Sequence, residues 1–242
     1  MKIWIRNTLF FTAVTITAIG IATVCALKSG SKATLACNDV RIEFEDSLGF
    51  ISASDVRNGI KSQYGDMAGR QIDAIDLTRI EQIIEGRSAV ENCEAWTTTD
   101  GKLHISIRQR HPAFHLSDGG VGTYVDFNGF RFPGQNGYKA DVTEIRTGSW
   151  KPSDKWIEEM IVFVRFINGE ERWIDRIDEI SCRQGGELSF ALSDTGEKIL
   201  FGQPVGIKEK FSRIDKYCTN IRPLEKKYKT VNVIYSGHII CN

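Results

Sequence analysis

The chain has 242 residues, with 31 basic and 31 acidic side chains and a formal net charge of zero. That balance argues against a nucleic-acid binder, which carries a basic excess, while 41% hydrophobic content suffices to build a core. There is no charged tail and no low-complexity tract.

Residues 8–27, TLFFTAVTITAIGIATVCAL, contain no charged side chain. At about 1.5 Å per residue such a helix spans roughly 30 Å, the thickness of a bilayer's hydrocarbon core. The run predicts a single transmembrane helix after a short cytoplasmic tail (residues 1–7) and before a linker (28–37). A cleaved signal peptide, or a lipoprotein site at Thr34-Leu35-Ala36-Cys37, is the alternative. The length favours a retained anchor, since signal peptides carry only about 7–15 apolar residues. Lys2 and Arg6 on one side against Lys28 and Lys32 on the other put the N-terminus inside by a narrow margin. The bulk of the chain is then extracytoplasmic.

Beyond the linker, Val40-Arg41-Ile42-Glu43-Phe44-Glu45 alternates apolar and polar residues, as a half-buried strand does. Ser52-Ala53-Ser54-Asp55 matches a capping box, with Val56 and Ile60 following at helical spacing and Tyr64-Gly65 ending the helix. Asp76 caps a second helix with a stripe of Leu77, Ile80, Ile83 and Ile84, closed by Gly86. A strand from Val90 to Trp96 and another carrying Leu103, Ile105 and Ile107 flank the Asp100-Gly101 turn. Residues 38–111 thus read β-α-α-β-β.

From 112 to 242 short strands and glycine-rich turns dominate. Strands are expected at 123–127, 130–133, 177–182, 187–192 and 198–201, with helices from Ser153 to about Ile167 and near 208–221. Residues 230–240 read as one extended last strand, Val231, Val233 and Tyr235 on one side and Asn232 and Ile234 on the other. The fold class is α+β: a transmembrane helix, a β-α-α-β-β domain, then a mainly antiparallel β domain with two helices.

The residues show no catalytic, cofactor or metal site. His111 and His115 are four apart but Pro112 breaks any helix between them, and no His-Glu-x-x-His occurs. Gly119-Gly120-Val121-Gly122 lacks the Lys-Ser/Thr that a phosphate cradle needs. Glu158-Glu159 and Glu170-Glu171 are adjacent pairs whose side chains diverge. His238 and Cys241 match no nucleophile signature. Five cysteines follow the apolar run, with no zinc spacing. In an oxidising compartment Cys37 and Cys93, which precede or lie in two strands of one small domain, are the first pair to consider. The alternative is that all five are small buried residues.

Four stretches carry a family resemblance. Ile105-Ser106-Ile107-Arg108-Gln109-Arg110-His111-Pro112, closing a β-α-α-β-β unit, resembles the strand end of a POTRA domain. Tyr124-Val125-Asp126-Phe127-Asn128-Gly129-Phe130-Arg131-Phe132-Pro133 is similar to the Y-x-D-x-x-G-x-x-F/M-P stretch of the FtsQ/DivIB cell-division family. Asp194-Thr195-Gly196-Glu197-Lys198-Ile199-Leu200-Phe201-Gly202, and the ending Val231 to Cys241, resemble that family's strand-turn-strand and terminal strand, in a Bacteroidetes-like form.

The resemblance implies a non-enzymatic inner-membrane protein with its domains in the periplasm at the division septum. Such a protein binds small FtsB/FtsL-like membrane partners and helps couple them to the proteins of septal peptidoglycan synthesis. It also implies that the terminal strand receives the partner. That strand's tyrosine falls on Tyr235 and its glycine on Gly237, and Val231, Val233 and Ile239 complete the expected edge. The physics agrees, because an edge strand offers unpaired N–H and C=O groups for β-augmentation. The rival reading is a POTRA-containing envelope assembly or secretion component, although residues after 112 lack the regular alternating segments of a barrel.

Overall fold

The computed structural model describes residues 35–242, apart from 119, 121, 136 and 225–227. Its first unit opens with strand β1 (Asp39–Phe44) and helix α1 (Ala53–Gln63). The capping box read at Ser52 is formed: its hydroxyl accepts from Asp55 N–H, and the Asp55 carboxylate accepts from Ser52 N–H. A 3-10 turn (Ile72–Ala74) leads to helix α2 (Leu77–Glu85), capped by Asp76, and to strands β2 (Val90–Thr97) and β3 (Lys102–Gln109). The sheet order is β1-β3-β2, with β1 parallel and β2 antiparallel to the central β3. On β3, Leu103, Ile105 and Ile107 face the helices and are buried against Val56, Ile60, Ile80 and Ile84.

The second unit contains strands β4 (Pro112–Ser117), β5 (Thr123–Asp126), β6 (Arg131–Pro133) and β7 (Thr143–Arg146), then helices α3 (Asp154–Gly169) and α4 (Glu171–Ile174). Strands β8 (Ile177–Cys182), β9 (Leu188–Leu192) and β10 (Lys198–Gly202), helix α5 (Ile207–Lys216) and strands β11 (Thr230–Asn232) and β12 (Ile240–Cys241) complete it. Its nine-stranded sheet runs β12-β11-β10-β9-β8-β7-β4-β5-β6. Helix α3, capped by Ser153, lays Trp156, Met160, Phe163, Val164 and Ile167 on this sheet. Phe163 and Phe211 of α5 meet Phe190 and Phe201, with ring centroids 5.2 Å apart for Phe163–Phe201 and 5.4 Å for Phe201–Phe211.

Two sequence expectations are corrected. The expected fold class included a transmembrane helix at residues 8–27, which lie outside the described residues; among those described, no helix is long and apolar enough to cross a membrane. The described fold is α+β without such a helix. Most pairings in its large sheet are antiparallel, as expected, while β4–β7, β7–β8 and β10–β11 pair in parallel. The Cys37–Cys93 pair is not formed, and both thiols are free and buried. Cys37 lies beside the end of β3 where Asn38 N–H donates to the Gly101 carbonyl, whereas Cys93 is opposite Ile107. Six residues of strand separate those points, about 20 Å, while a disulfide needs Cα atoms within roughly 7 Å.

The two units are fastened to each other at one joint. Phe50, fully buried, meets Tyr124, Phe132 and Tyr138 of the second unit edge-on, with ring centroids at 5.0, 5.2 and 4.9 Å. Each such pair contributes about 0.5–1.5 kcal/mol beyond burial. Gly49 permits the approach, since a Cβ there would stand 2.7 Å from the Tyr138 ring. The buried Gln109 side chain donates to Asp46 Oδ1 (2.8 Å) and the Leu48 carbonyl (2.6 Å) and accepts from Ile51 N–H (3.0 Å). These bonds shape the loop that presents Phe50.

Arg110 completes the joint. Its backbone N–H donates to the Ala89 carbonyl and its Nε to the Ser88 carbonyl, anchoring it in the first unit. Its Nη1 donates to Asp126 Oδ2 at 3.0 Å in the second, and its guanidinium lies 3.9 Å from the Phe130 ring centroid. The other Asp126 oxygen accepts from Asn128 and Phe130 N–H, shaping a turn in which Gly129 takes φ +84°.

Two measurements check these assignments. Arg110→Ala is expected to destabilise the protein by about 3 kcal/mol, the low end for breaking a buried pair because Asp126 keeps its two turn donors. Arg110→Lys would not restore this, lacking the planar fork; an unchanged urea midpoint for Arg110→Ala would refute the joint. Alkylation of the denatured, unreduced protein is expected to label both Cys37 and Cys93, and protection of the pair would restore the bridge.

Candidate functional site

Residues 230–241 form a hairpin rather than one long strand. β11 lies parallel to β10 through Lys198↔Thr230, Ile199↔Val231 and Leu200↔Asn232, and Val233 N–H extends the ladder to the Leu200 carbonyl at 3.1 Å. The chain then reverses at Tyr235-Ser236-Gly237-His238: His238 N–H donates to the Tyr235 carbonyl, and Gly237 takes φ +76°, a conformation that suits glycine. β12 returns antiparallel to β11, pairing Cys241 with Val231 and Ile240 with Asn232.

The hairpin divides the five side chains that the sequence groups on one edge. Val231 and Val233 are fully buried in the core and have no surface to offer a partner. Ile239 is half-buried against the same core, while Tyr235 and Gly237 stand exposed in the turn. The sheet's terminal edge is β12. Its Ile240 is 43% exposed and Tyr235 is 58% exposed. Ile240 was missed because alternation was carried through the turn; Ser236-Gly237, a turn dipeptide, was the signal that resets it.

Helix α5 and the β9–β10 turn hold this edge. Arg213, itself buried, donates from Nη2 to the Val233 carbonyl and from Nη1 to Glu209, both at 2.7 Å, and Glu209 also accepts from Ser236 Oγ at 3.1 Å. After α5 a π-turn (Tyr217–Ile221) and a 3-10 turn (Arg222–Leu224) face the Asp194-Thr195-Gly196-Glu197 stretch. Tyr217 Oη donates to Glu197 Oε1 (2.7 Å), and Arg222 donates to Glu197 Oε2 (2.9 Å) and Asp194 Oδ2 (3.1 Å). Arg176 donates to the same Asp194 oxygen at 2.8 Å. Burial alone would raise the Asp194 carboxyl, but the hydrogen bonds and charges of the two arginines hold it below its ordinary value. Burial, and then the bond to Glu197, pushes the Tyr217 phenol upward.

None of this arrangement points to catalysis. Among the described residues no group of three or more His, Cys, Asp or Glu side chains is placed to hold a metal ion. Burial pushes the Cys182 thiol up to about 12, and burial followed by Glu81, Glu85 and Glu94 does the same for Cys93. Burial raises Cys218 despite two nearby arginines, and raises Cys241 with help from Glu197. Protonated thiols are poor nucleophiles. His115 lies on β4 with its ring 4.4 Å from that of Tyr124, and neither ring nitrogen has a hydrogen-bond partner.

The fold defines a small β-α-α-β-β module followed by a larger mixed-sheet domain, and family comparisons assign both parts. Residues 35–108 match a POTRA-like domain, and residues 111–242 match the family described as FtsQ/DivIB, C-terminal related. No match is found among curated proteins. The chain belongs to the FtsQ/DivIB family, with a POTRA-like domain, which marks it as a cell-division protein associated with the division septum.

The Asp194 network is testable by pH. A carboxyl that titrates lower folded than unfolded stabilises the fold above the ordinary aspartate pKa of about 3.9, and that contribution is lost as pH falls below it. Asp194→Asn is therefore expected to lower the urea midpoint at pH 7, with the gap to wild type closing toward pH 3. A gap that stays constant with pH would refute the assignment.

Proposed function

We propose that the chain is a non-enzymatic division scaffold that presents the β11–β12 turn and edge to small FtsB/FtsL-like partners. By binding them on the outer side of the cytoplasmic membrane it helps couple them to the proteins of septal peptidoglycan synthesis. The observation that carries this reading is β12 itself. It is the last strand of the sheet, with an unpaired outer edge and the exposed Tyr235 and Ile240 beside it. A partner strand laid there satisfies free N–H and C=O groups and covers both side chains. Family membership supports the same reading. A scaffold of this kind acts by raising the local concentration of its partners, which needs no reacting group.

Tyr235→Glu is expected to abolish pull-down of FtsB/FtsL-like partners. Because Tyr235 is exposed, the variant's stability should stay within about 0.5 kcal/mol of wild type. Undiminished pull-down by a folded Tyr235→Glu protein would remove β12 and its turn as the docking edge.

A further inference from the structure

Among the seams between interior strands of the large sheet, the one between β7 and β8 is the shortest. β4 pairs with β7 over four residues, and β9 pairs along β8 from Ile177 to Cys182. Between β7 and β8 only Ile145↔Ile180 and Arg146↔Ser181 are paired. Upstream of Ile145↔Ile180, residues 143–144 of β7 and 177–179 of β8 are not matched in register across this seam. The cause is a bulge in β8: Asp178 pairs with Ala191 but Ser181 with Ser189, so three steps on β8 oppose two on β9. A bulge bends its strand and ends pairing, and here it carries the start of β8 away from β7.

The gap opens into a cleft of about 670 Å³. Ala113, Ile167 and Ile180, all buried, give it an apolar floor. Two large apolar side chains stand exposed on its lining, Phe127 at 37% and Ile174 at 51%. Its carboxylates are Asp141, Glu144 and Asp175, against Arg146 as the one cation among the described lining residues. Glu144 is already bonded to Lys139 at 3.1 Å, whereas neither Asp141 nor Asp175 has an ion pair among the described residues.

We propose that this cleft is a second docking site, separate from β12, for a short extended segment of a partner protein in which Lys or Arg alternates with apolar residues. Alternate backbone N–H and C=O groups of an unpaired strand stretch point into the gap and can pair with an incoming strand. In such a segment one face packs apolar side chains on the floor and against Phe127 and Ile174. The other turns its cations to Asp141 and Asp175, since side chains alternate along a strand. Charge complementarity selects a basic segment over an acidic one.

The test titrates the full-length chain with three fluorescein-labelled octapeptides: alternating Lys/Val, alternating Glu/Val, and Lys/Val with alternate amides N-methylated. Saturable binding of the first alone is expected. An Asp141→Lys/Asp175→Lys variant should weaken it tenfold or more, and Tyr235→Glu should leave it unchanged. Both aspartates are exposed, so the double variant is expected to fold, and Ile174→Ser, with at least a threefold loss, is the second variant. No binding of Lys/Val, equal binding of Glu/Val or of the N-methylated peptide, insensitivity to the double variant, or loss in Tyr235→Glu would each overturn the proposal. The last result would place the peptide on the terminal edge and leave the reading of β12 intact.

Discussion

The ion pair between Arg110 and Asp126 sets the relation of everything else. Arg110 is the first residue past the last strand of the small module, and Asp126 shapes the β5–β6 turn of the large one. Neither is solvated freely, with side chains 19% and 6% exposed. A pair this sheltered gives limited net stability but strongly penalises its own disruption, so it specifies a geometry. With the phenylalanine at position 50 seated among three aromatic rings beside it, the two cores meet along a shared wall rather than hanging from a tether.

This explains why two separate strings carried the family resemblance. The Arg108-Gln109-Arg110 string and the Tyr124-to-Pro133 string are distant in their sequence roles but adjacent in space. Gln109 saturates its bonds on the presenting loop, Arg110 crosses to Asp126, and Tyr124 and Phe132 receive Phe50. The third string does the same work at the far end, where Asp194 and Glu197 bind the end of the last helix to the β9–β10 turn.

Legibility in the sequence followed local physics. The caps at Ser52, Asp76 and Ser153 were readable because each satisfies helix N–H groups from its own neighbourhood. β4 and β7, near the middle of the large sheet, were not seen. β4 opens with three buried residues in a row, the first a proline, and carries a histidine; β7 has four residues, two of them charged. Both are strands because neighbours distant in sequence pair with them, a cause no window of residues contains. The terminal edge failed in the opposite way: β-branched residues ran on through a turn, and period two continued on paper where the chain reversed. The exposed side chain of Ile240 therefore falls on no face in such a reading.

The thiols bear on what holds the two cores together. Burial lifts Cys93, Cys182, Cys218 and Cys241 above their ordinary values. Only the deprotonated sulfur attacks disulfides or peroxides readily, so these residues are shielded chemically as well as sterically. No bridge among the described cysteines contributes to holding the two cores. Among the described residues the two cores are therefore joined by the aromatic contacts of Phe50 and the Arg110–Asp126 pair, with no covalent cross-link.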